Sequence, residues 1–303
     1  MGAWQRAGYP LESGIDRLER LVRLSYGVTL DAIPENAKRV NLWIPIPRSN
    51  SIQSIKQIQI SDGVPYDTLI DNEYNNRFLH FELSEEQIKS SNVILTAFFQ
   101  VRRKDFRKNG SNNNANLGTD AALERYLNPD NPVPVNVKIS QKVISVAHDI
   151  KEPSQQAKLL FNYIVDEVKH DGNASEKGSD IDFYSLFIKE ARSLGIPARL
   201  VMGFELSPES KIDVIEGYHC WSEVYIDEEG WIPVDISEAK KYTGKKWKYF
   251  GNLDANRVAF TIGQNIRIPG AESNPVKSYI IYPYAEADGK EIPIKWRMNF
   301  REL

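Results

Sequence analysis

Hydrophobic and polar residues alternate through the first hundred positions with the two-residue period of a half-buried β-strand. The two clearest runs are Val22, Leu24, Tyr26, Val28 and Leu30, then Val40, Leu42, Ile44 and Ile46. Pro45 and Pro47 predict that the second strand ends there or lies at a sheet edge. Further strands are predicted over 53–60, 77–83 and 93–101, separated by turn residues. Short strands at this spacing favour an antiparallel β-sandwich over residues 20–105.

Beyond residue 150 the hydrophobic positions follow the 3.6-residue period of an amphipathic helix. The two helical faces are Ala157, Leu160, Phe161, Ile164, Val165 and Val168, then Phe183, Leu186, Phe187, Ala191 and Leu194. Gly195 and Pro197 predict the end of the second helix. Strands are predicted again over 199–206, 219–226, 231–235 and 292–300. A central helix on antiparallel strands makes the predicted fold class α+β.

Composition divides the chain further. A length of 303 residues favours two domains, and residues 108–119 are rich in Asn and Gly and nearly free of apolar side chains. We therefore predict an N-terminal extension over 1–19, the β-sandwich domain over 20–105, a linker over 106–135 and an α+β domain over 136–303. Residues 1–10 lack the apolar core of a signal peptide.

Charge and residue counts exclude several function classes. A formal net charge of −3 gives no basic footprint for nucleic acid, and no apolar run reaches the length of a transmembrane helix. Cys220 is the single cysteine, which excludes an intrachain disulfide and a multi-cysteine zinc site. The four histidines are scattered without ligand spacing. We expect no metal and no cofactor.

Two stretches carry a specific pattern: GSDIDFYSLFIKEARSLGIPARLVMGFEL over 178–206 and GYHCWSEVYIDEEGWIPVDISEA over 217–239. Together with YFGNLD and NRV near residues 249–258, they resemble the transglutaminase-like superfamily, which is related to papain-type cysteine peptidases. The strand-rich first half is similar to the domain that precedes the catalytic one in bacterial members. The resemblance covers most of residues 20–303 and implies a two-domain bacterial protein, periplasmic or secreted.

The resemblance implies a Cys-His-Asp triad with one member replaced. The family's histidine corresponds to His219 and its aspartate to Asp235, but Asp180 occupies the position of the cysteine nucleophile. A carboxylate attacks an amide far less readily than a thiolate does, because an anhydride would have to form while an amine is expelled. We therefore expect no thiol-type acyl transfer at this position.

Three roles remain open for Asp180 itself. Its side chain could cap the helix that follows, which is worth about 1 kcal/mol. It could instead bind a ligand, or share a cation with His219. Cys220 is a poor substitute nucleophile, because it directly follows His219 on a predicted strand and should point to the opposite face. A lone cysteine of this kind is usually a buried small apolar residue.

Other departures from the family lie at the expected cleft. Tyr184 stands where a histidine is common, and Gln264-Asn265 replace the charged pair of a Gly-Arg-Asp element. We name Tyr184, Trp221, Gln264 and Asn265 as cleft-lining candidates. The leading hypothesis is a disarmed protein that binds peptide, protein or glycan in the former cleft. The alternatives are an active hydrolase or acyltransferase using Asp180 and His219, and an engineered cysteine-to-aspartate variant.

Overall fold

The computed structural model describes residues 18–89, 93–108, 123–128, 139–168, 179–227 and 229–303. The predicted N-terminal extension and most of the predicted linker lie outside these residues. Within them the strands are β1 (Glu19–Leu30), β2 (Val40–Pro45), β3 (Gln53–Ile60), β4 (Asp67–Ile70), β5 (Arg77–Leu83), β6 (Val93–Lys104), β7 (Phe106–Arg107), β8 (Ala198–Glu205), β9 (Ile212–Ile215), β10 (Tyr218–Ile226), β11 (Gly230–Val234), β12 (Asn252–Leu253), β13 (Arg257–Ile262), β14 (Ile266–Arg267), β15 (Val276–Lys277), β16 (Tyr284–Ala287), β17 (Lys290–Glu291) and β18 (Lys295–Glu302). The helices of the same residues are α1 (Glu85–Lys89), α2 (Gln141–Asp149), α3 (Pro153–Asp166), α4 (Ser179–Ser193) and α5 (Ile236–Lys241).

Antiparallel sheets form the frame of the molecule. One five-stranded sheet has the order β3-β6-β1-β18-β9, and a second has the order β17-β16-β2-β5-β4. A four-stranded sheet, β11-β10-β8-β13, carries the helical part of the chain. Helices and antiparallel sheets in one chain confirm the predicted α+β class.

The alternation that predicted β1 is confirmed. Its five apolar residues, from Val22 to Leu30, are each at most 1% exposed, while the residues between them retain contact with solvent. β2 ends at Pro45, as the prolines predicted, and lies inside its sheet between β16 and β5. All six residues of β2 are buried, so an interior strand explains the run better than an edge strand does.

The end of the chain completes the sheets of its beginning. β18 pairs with β1 from Val22↔Glu302 to Thr29↔Lys295, and β16 pairs with β2 from Tyr284↔Trp43 to Ala287↔Val40. Both five-stranded sheets therefore contain strands from the two predicted domains. The division near residue 136 stays a prediction that follows chain order, whereas strand pairing runs across it.

Helix α4 positions the candidate site. Its apolar face buries Phe183, Leu186 and Phe187, and the helix packs against β8 and β10. The chain leaves the helix through Gly195, whose φ of +77° is a left-handed conformation that favours glycine, as the sequence predicted. β8 approaches β13 so closely at Gly203 that an added Cβ would lie 2.2 Å from the carbonyl oxygen of Val258.

Candidate functional site

His219 and Asp235 meet where two neighbouring strands bring them together. β10 carries His219, and Asp235 directly follows β11, its antiparallel neighbour. His219 Nε2 lies 2.8 Å from Asp235 Oδ2. The histidine side chain is 12% exposed and the aspartate side chain 1% exposed. The carboxylate can therefore orient the ring, as the aspartate of a catalytic triad does.

Several donors fix the other carboxylate oxygen of Asp235. Asp235 is the N-cap of α5, and its Oδ1 accepts the backbone N–H of Glu238 at 3.2 Å. The hydroxyl of Tyr184 lies 2.9 Å from the same oxygen and also bonds Ser237. The carboxylate is thus held from α4 and α5 at once. Neither Tyr184 nor Ser237 was predicted to contact Asp235.

Burial and charge act in opposite directions on this pair. Burial alone would raise the pKa of Asp235, but the charge and hydrogen bond of His219, with Arg257 nearby, lower it to about 2. Burial alone would lower the pKa of His219, but the Asp235 carboxylate outweighs it and the pKa is raised. At pH values between the pKa of Asp235, about 2, and the raised pKa of His219, a charged imidazolium–carboxylate pair is therefore favoured.

Arg257 is a buried cation surrounded by four carboxylates, of which Asp235 and Glu238 are buried while Asp254 and Glu205 are 45% and 38% exposed. Its guanidinium, 5% exposed, is 2.8 Å from Asp254, 3.2 Å from Glu205, 3.4 Å from Glu238 and 3.8 Å from Asp235. Although burial lowers the pKa of Arg257, these four carboxylates raise it well above the usual value. Sequence reasoning missed this cluster: Asp254 precedes Arg257 by only three residues, but Glu205, Asp235 and Glu238 come from other elements.

Three of the four predicted cleft residues are almost fully buried. Tyr184 is 0%, Trp221 1% and Gln264 5% exposed. The Trp221 ring stacks beside that of His219, and the Gln264 amide donates to the Ser185 hydroxyl at 3.1 Å. These three side chains therefore present little surface to a ligand and pack beneath the surface of the site. Asn265 is partly exposed, with a φ of +55°.

The two residues considered as nucleophiles lie in different settings. α4 begins at Ser179, so the backbone of Asp180 belongs to the first helical turn. The Asp180 side chain lies outside the description, so its three proposed roles (a capping bond, ligand binding and a cation shared with His219) all stay predictions. Cys220 is 3% exposed on β10.

No helix in the described ranges is long and apolar enough to cross a membrane. In the same ranges, no group of three or more His, Cys, Asp or Glu side chains is arranged to hold a metal ion.

The His219–Asp235 pair is expected to make stability depend on pH. Because the pKa of His219 is raised from 6.5, the stability that the imidazolium adds is complete below that value and is lost as the pH rises through the raised pKa. The contribution of Asp235 is complete above 3.8 and is lost as the pH falls towards about 2.

His219→Gln should therefore lower the free energy of unfolding more at about pH 5 than at about pH 9, as measured with urea. The control His148→Gln alters an exposed residue of α2 and should change the free energy of unfolding by less than about 0.5 kcal/mol. Equal losses for His219→Gln would contradict the charged pair.

Comparisons with known proteins show what this chain is similar to. Residues 142–236 match the model of the transglutaminase-like superfamily. An uncharacterised protein of Haemophilus influenzae is 23% identical over an alignment of 308 residues that spans 85% of this chain and 83% of that protein. A candidate cysteine protease from Cytophaga hutchinsonii superposes with a TM-score of 0.53 at 14% identity, over 94% of this chain and 91% of that one. The periplasmic domain of TgpA from Pseudomonas aeruginosa gives a TM-score of 0.32 at 14% identity, over 78% and 93%. The Cytophaga structure thus shares the fold of this chain.

Proposed function

We propose that this chain, whose residues 142–236 match the model of the transglutaminase-like superfamily, is a non-catalytic member that binds peptide, protein or glycan in the former active-site cleft. The observation that carries the proposal is the location of the only thiol. Cys220 is buried near the start of β10, and the first turn of α4 contains Asp180, at the position that the family resemblance assigns to the nucleophile.

The chemistry of Asp180 supports a loss of turnover. Attack by its carboxylate on an amide would exchange a stable amide for an anhydride and expel an amine, which is strongly uphill. A resting cysteine can pass its proton to histidine and become a thiolate, whereas a carboxylate has no such activated form. The site therefore retains the base and its orienting acid without the group they would activate.

The same pair supports binding. With Nε2 engaged by Asp235, the other ring nitrogen of His219, Nδ1, is free of hydrogen bonds to any residue that the structure describes. A protonated imidazole offers Nδ1–H as a charged donor, which suits a carbonyl or carboxylate oxygen of a ligand. Such a donor is strongest where the raised pKa keeps the ring protonated.

Turnover and binding are tested in one set of samples. Casein, a glutaminyl peptide and an amine donor should show no hydrolysis or cross-linking above the level of His219→Ala. In the same mixtures the glutaminyl peptide should shift the NMR resonances of the His219 ring and leave those of exposed His148 unchanged. Turnover that His219→Ala abolishes would overturn the non-catalytic assignment and favour an active enzyme using Asp180 and His219. Absence of any shift with casein peptides or the glutaminyl peptide would remove peptide binding from the proposal.

A further inference from the structure

A lysine-rich turn with an exposed tryptophan projects beside the candidate site. Residues 239–253 contain five lysines and lack Asp and Glu, although the whole chain has 41 acidic and 38 basic residues. The turn Thr243–Tyr249 places Trp247 at 66% exposure, between Lys246 and Lys248. We name Lys241, Lys245, Lys246, Trp247 and Lys248 the lysine–tryptophan turn.

The turn is built on a fixed base. Lys240, just before it, donates to the carbonyl oxygens of Ile164, Val165 and Val168 at 2.7–3.1 Å and so ties α5 to the end of α3. The rings of Tyr242 and Tyr249 stack across the two ends of the turn, with centroids 6.3 Å apart. The projecting side chains are therefore presented by a rigid frame.

Only some of the lysines of the lysine–tryptophan turn form ion pairs within the protein. Lys241 pairs with Glu238, and Lys246 pairs with Asp166. In the described part of the chain, Lys245 and Lys248 have no ion pair, and the Lys248 ammonium lies 5.7 Å from the centroid of the Trp247 ring. The tip thus combines uncommitted positive charge with an indole that adds little to the core.

This combination matches an anionic lipid surface. An indole prefers the boundary between water and acyl chains, because its ring is apolar and its N–H is polar. Lysines beside it are attracted to acidic headgroups over about a Debye length. A soluble acidic polymer would use the lysines but would gain little from an indole raised at the tip. We propose that the lysine–tryptophan turn docks this protein onto an anionic lipid surface.

Docking would also orient the candidate site. The backbone N–H of Asp235 donates to the carbonyl oxygen of Tyr249 at 2.9 Å, so the base of the turn is joined directly to the His219–Asp235 pair. A turn resting on lipid would hold this pair close to the membrane plane. The proposal does not depend on the ligand of the cleft, and its test leaves the cleft residues unchanged.

Flotation with lipid vesicles tests the proposal on the full chain. The protein should float with vesicles of phosphatidylglycerol and phosphatidylcholine, and not with phosphatidylcholine alone. Lys245→Gln with Lys248→Gln should lower the partition coefficient by about 30-fold, and Trp247→Ala by about tenfold. The matched control, Lys56→Gln with Lys290→Gln, removes two exposed charges from β3 and β17 and should change it by less than about twofold.

Three outcomes would overturn the proposal. The first is equal flotation with and without the anionic lipid. The second is a loss in the control variant as large as that in the lysine variant of the turn. The third is that soluble polyglutamate binds as tightly as the anionic vesicles and Trp247→Ala has no effect, which would assign the turn to an acidic polymer instead of a lipid surface. Circular dichroism of each variant confirms that the fold is retained.

Discussion

Arg257→Met is expected to lower the free energy of unfolding by about 3–5 kcal/mol. The substitution keeps most of the side-chain volume but removes the buried cation. The buried carboxylates of Asp235 and Glu238 would then lose the guanidinium that lies within 3.8 Å of them, while Asp254 and Glu205 keep contact with solvent at 45% and 38% exposure. Uncompensated carboxylates in a buried setting are costly, so the loss exceeds that of an ordinary ion pair.

The pH dependence of this loss has a definite sign. Arg257 helps to lower the pKa of Asp235 to about 2, so part of its contribution is present above 3.8 and disappears as the carboxylates become protonated. The difference between wild type and Arg257→Met should therefore be largest near neutral pH and shrink on acidification. Urea unfolding at several pH values measures it.

A surface arginine provides the matched control. Arg39 pairs with Glu272, and both side chains remain more than a third exposed, at 48% and 39%. Arg39→Met should cost less than about 1 kcal/mol, because an exposed ion pair is worth little. A similar small loss for Arg257→Met would show that the cluster is as well solvated as the surface pair, and would refute the buried-charge account.

Strands and helices of this fold could be predicted from the sequence because the spacing of apolar residues within each element shows which of its faces is buried. β3 and β5 have the predicted bounds, and α4 ends before Gly195 as its apolar period and the glycine indicated. These signals are local: side chains two residues apart share a strand face, and those three or four apart share a helix face. Positions in one element therefore suffice to locate it.

The pairing of β18 with β1 had no such local signal. Both strands alternate, but alternation does not say which strand lies beside which, and almost the whole chain separates them. The prediction of two consecutive domains followed from chain order for this reason. Tyr26 of β1 also contacts the C-terminal part of the chain outside β18, because its hydroxyl donates to the carbonyl oxygen of Ile281 at 3.0 Å.

The candidate site divides in the same way. His219 and Asp235 were predicted from a pattern of residues along the chain, and the structure brings them within hydrogen-bonding distance. The contribution of Tyr184 to Asp235 was not predicted, because the tyrosine was considered only as a lining residue. Arg257 belonged to a matching sequence segment without a role, since Glu205, Asp235 and Glu238 become its neighbours only after the sheet and α5 assemble.

Asp180→Cys is expected to create a thiol that iodoacetamide alkylates rapidly while Cys220 stays unreactive. α4 begins at Ser179, so the new thiol belongs to the first turn, where unpaired backbone N–H groups favour a thiolate. An adjacent His219 would lower the pKa of the thiol further. At about pH 6 the gain in thiolate outweighs the loss in intrinsic nucleophilicity, so alkylation should be about tenfold faster than for an ordinary exposed thiol.

Peptide mapping by mass spectrometry separates the two thiols and gives each rate. Cys220, at 3% exposure, should remain essentially unmodified in both proteins. His219→Ala in the Asp180→Cys background should remove most of the acceleration at about pH 6, because the imidazolium no longer stabilises the thiolate. Ser179→Cys is the matched control: it places a thiol in the same turn, one position away from the family's nucleophile, and should depend little on His219.

The variant separates a site that has lost only its nucleophile from one that has been rebuilt. We expect a reactive thiol with little turnover of casein or glutaminyl peptides, because the sequence comparison predicts that Tyr184, Gln264 and Asn265 stand where the family carries other residues. Loss of the capping bond predicted for Asp180 should also lower the free energy of unfolding by about 0.5–2 kcal/mol. An unreactive thiol would mean that His219 does not face the start of α4, and the proposed cleft would then have no basis. Efficient hydrolysis would mean that Asp180 alone disarms the site, since every other part of a working triad would be present.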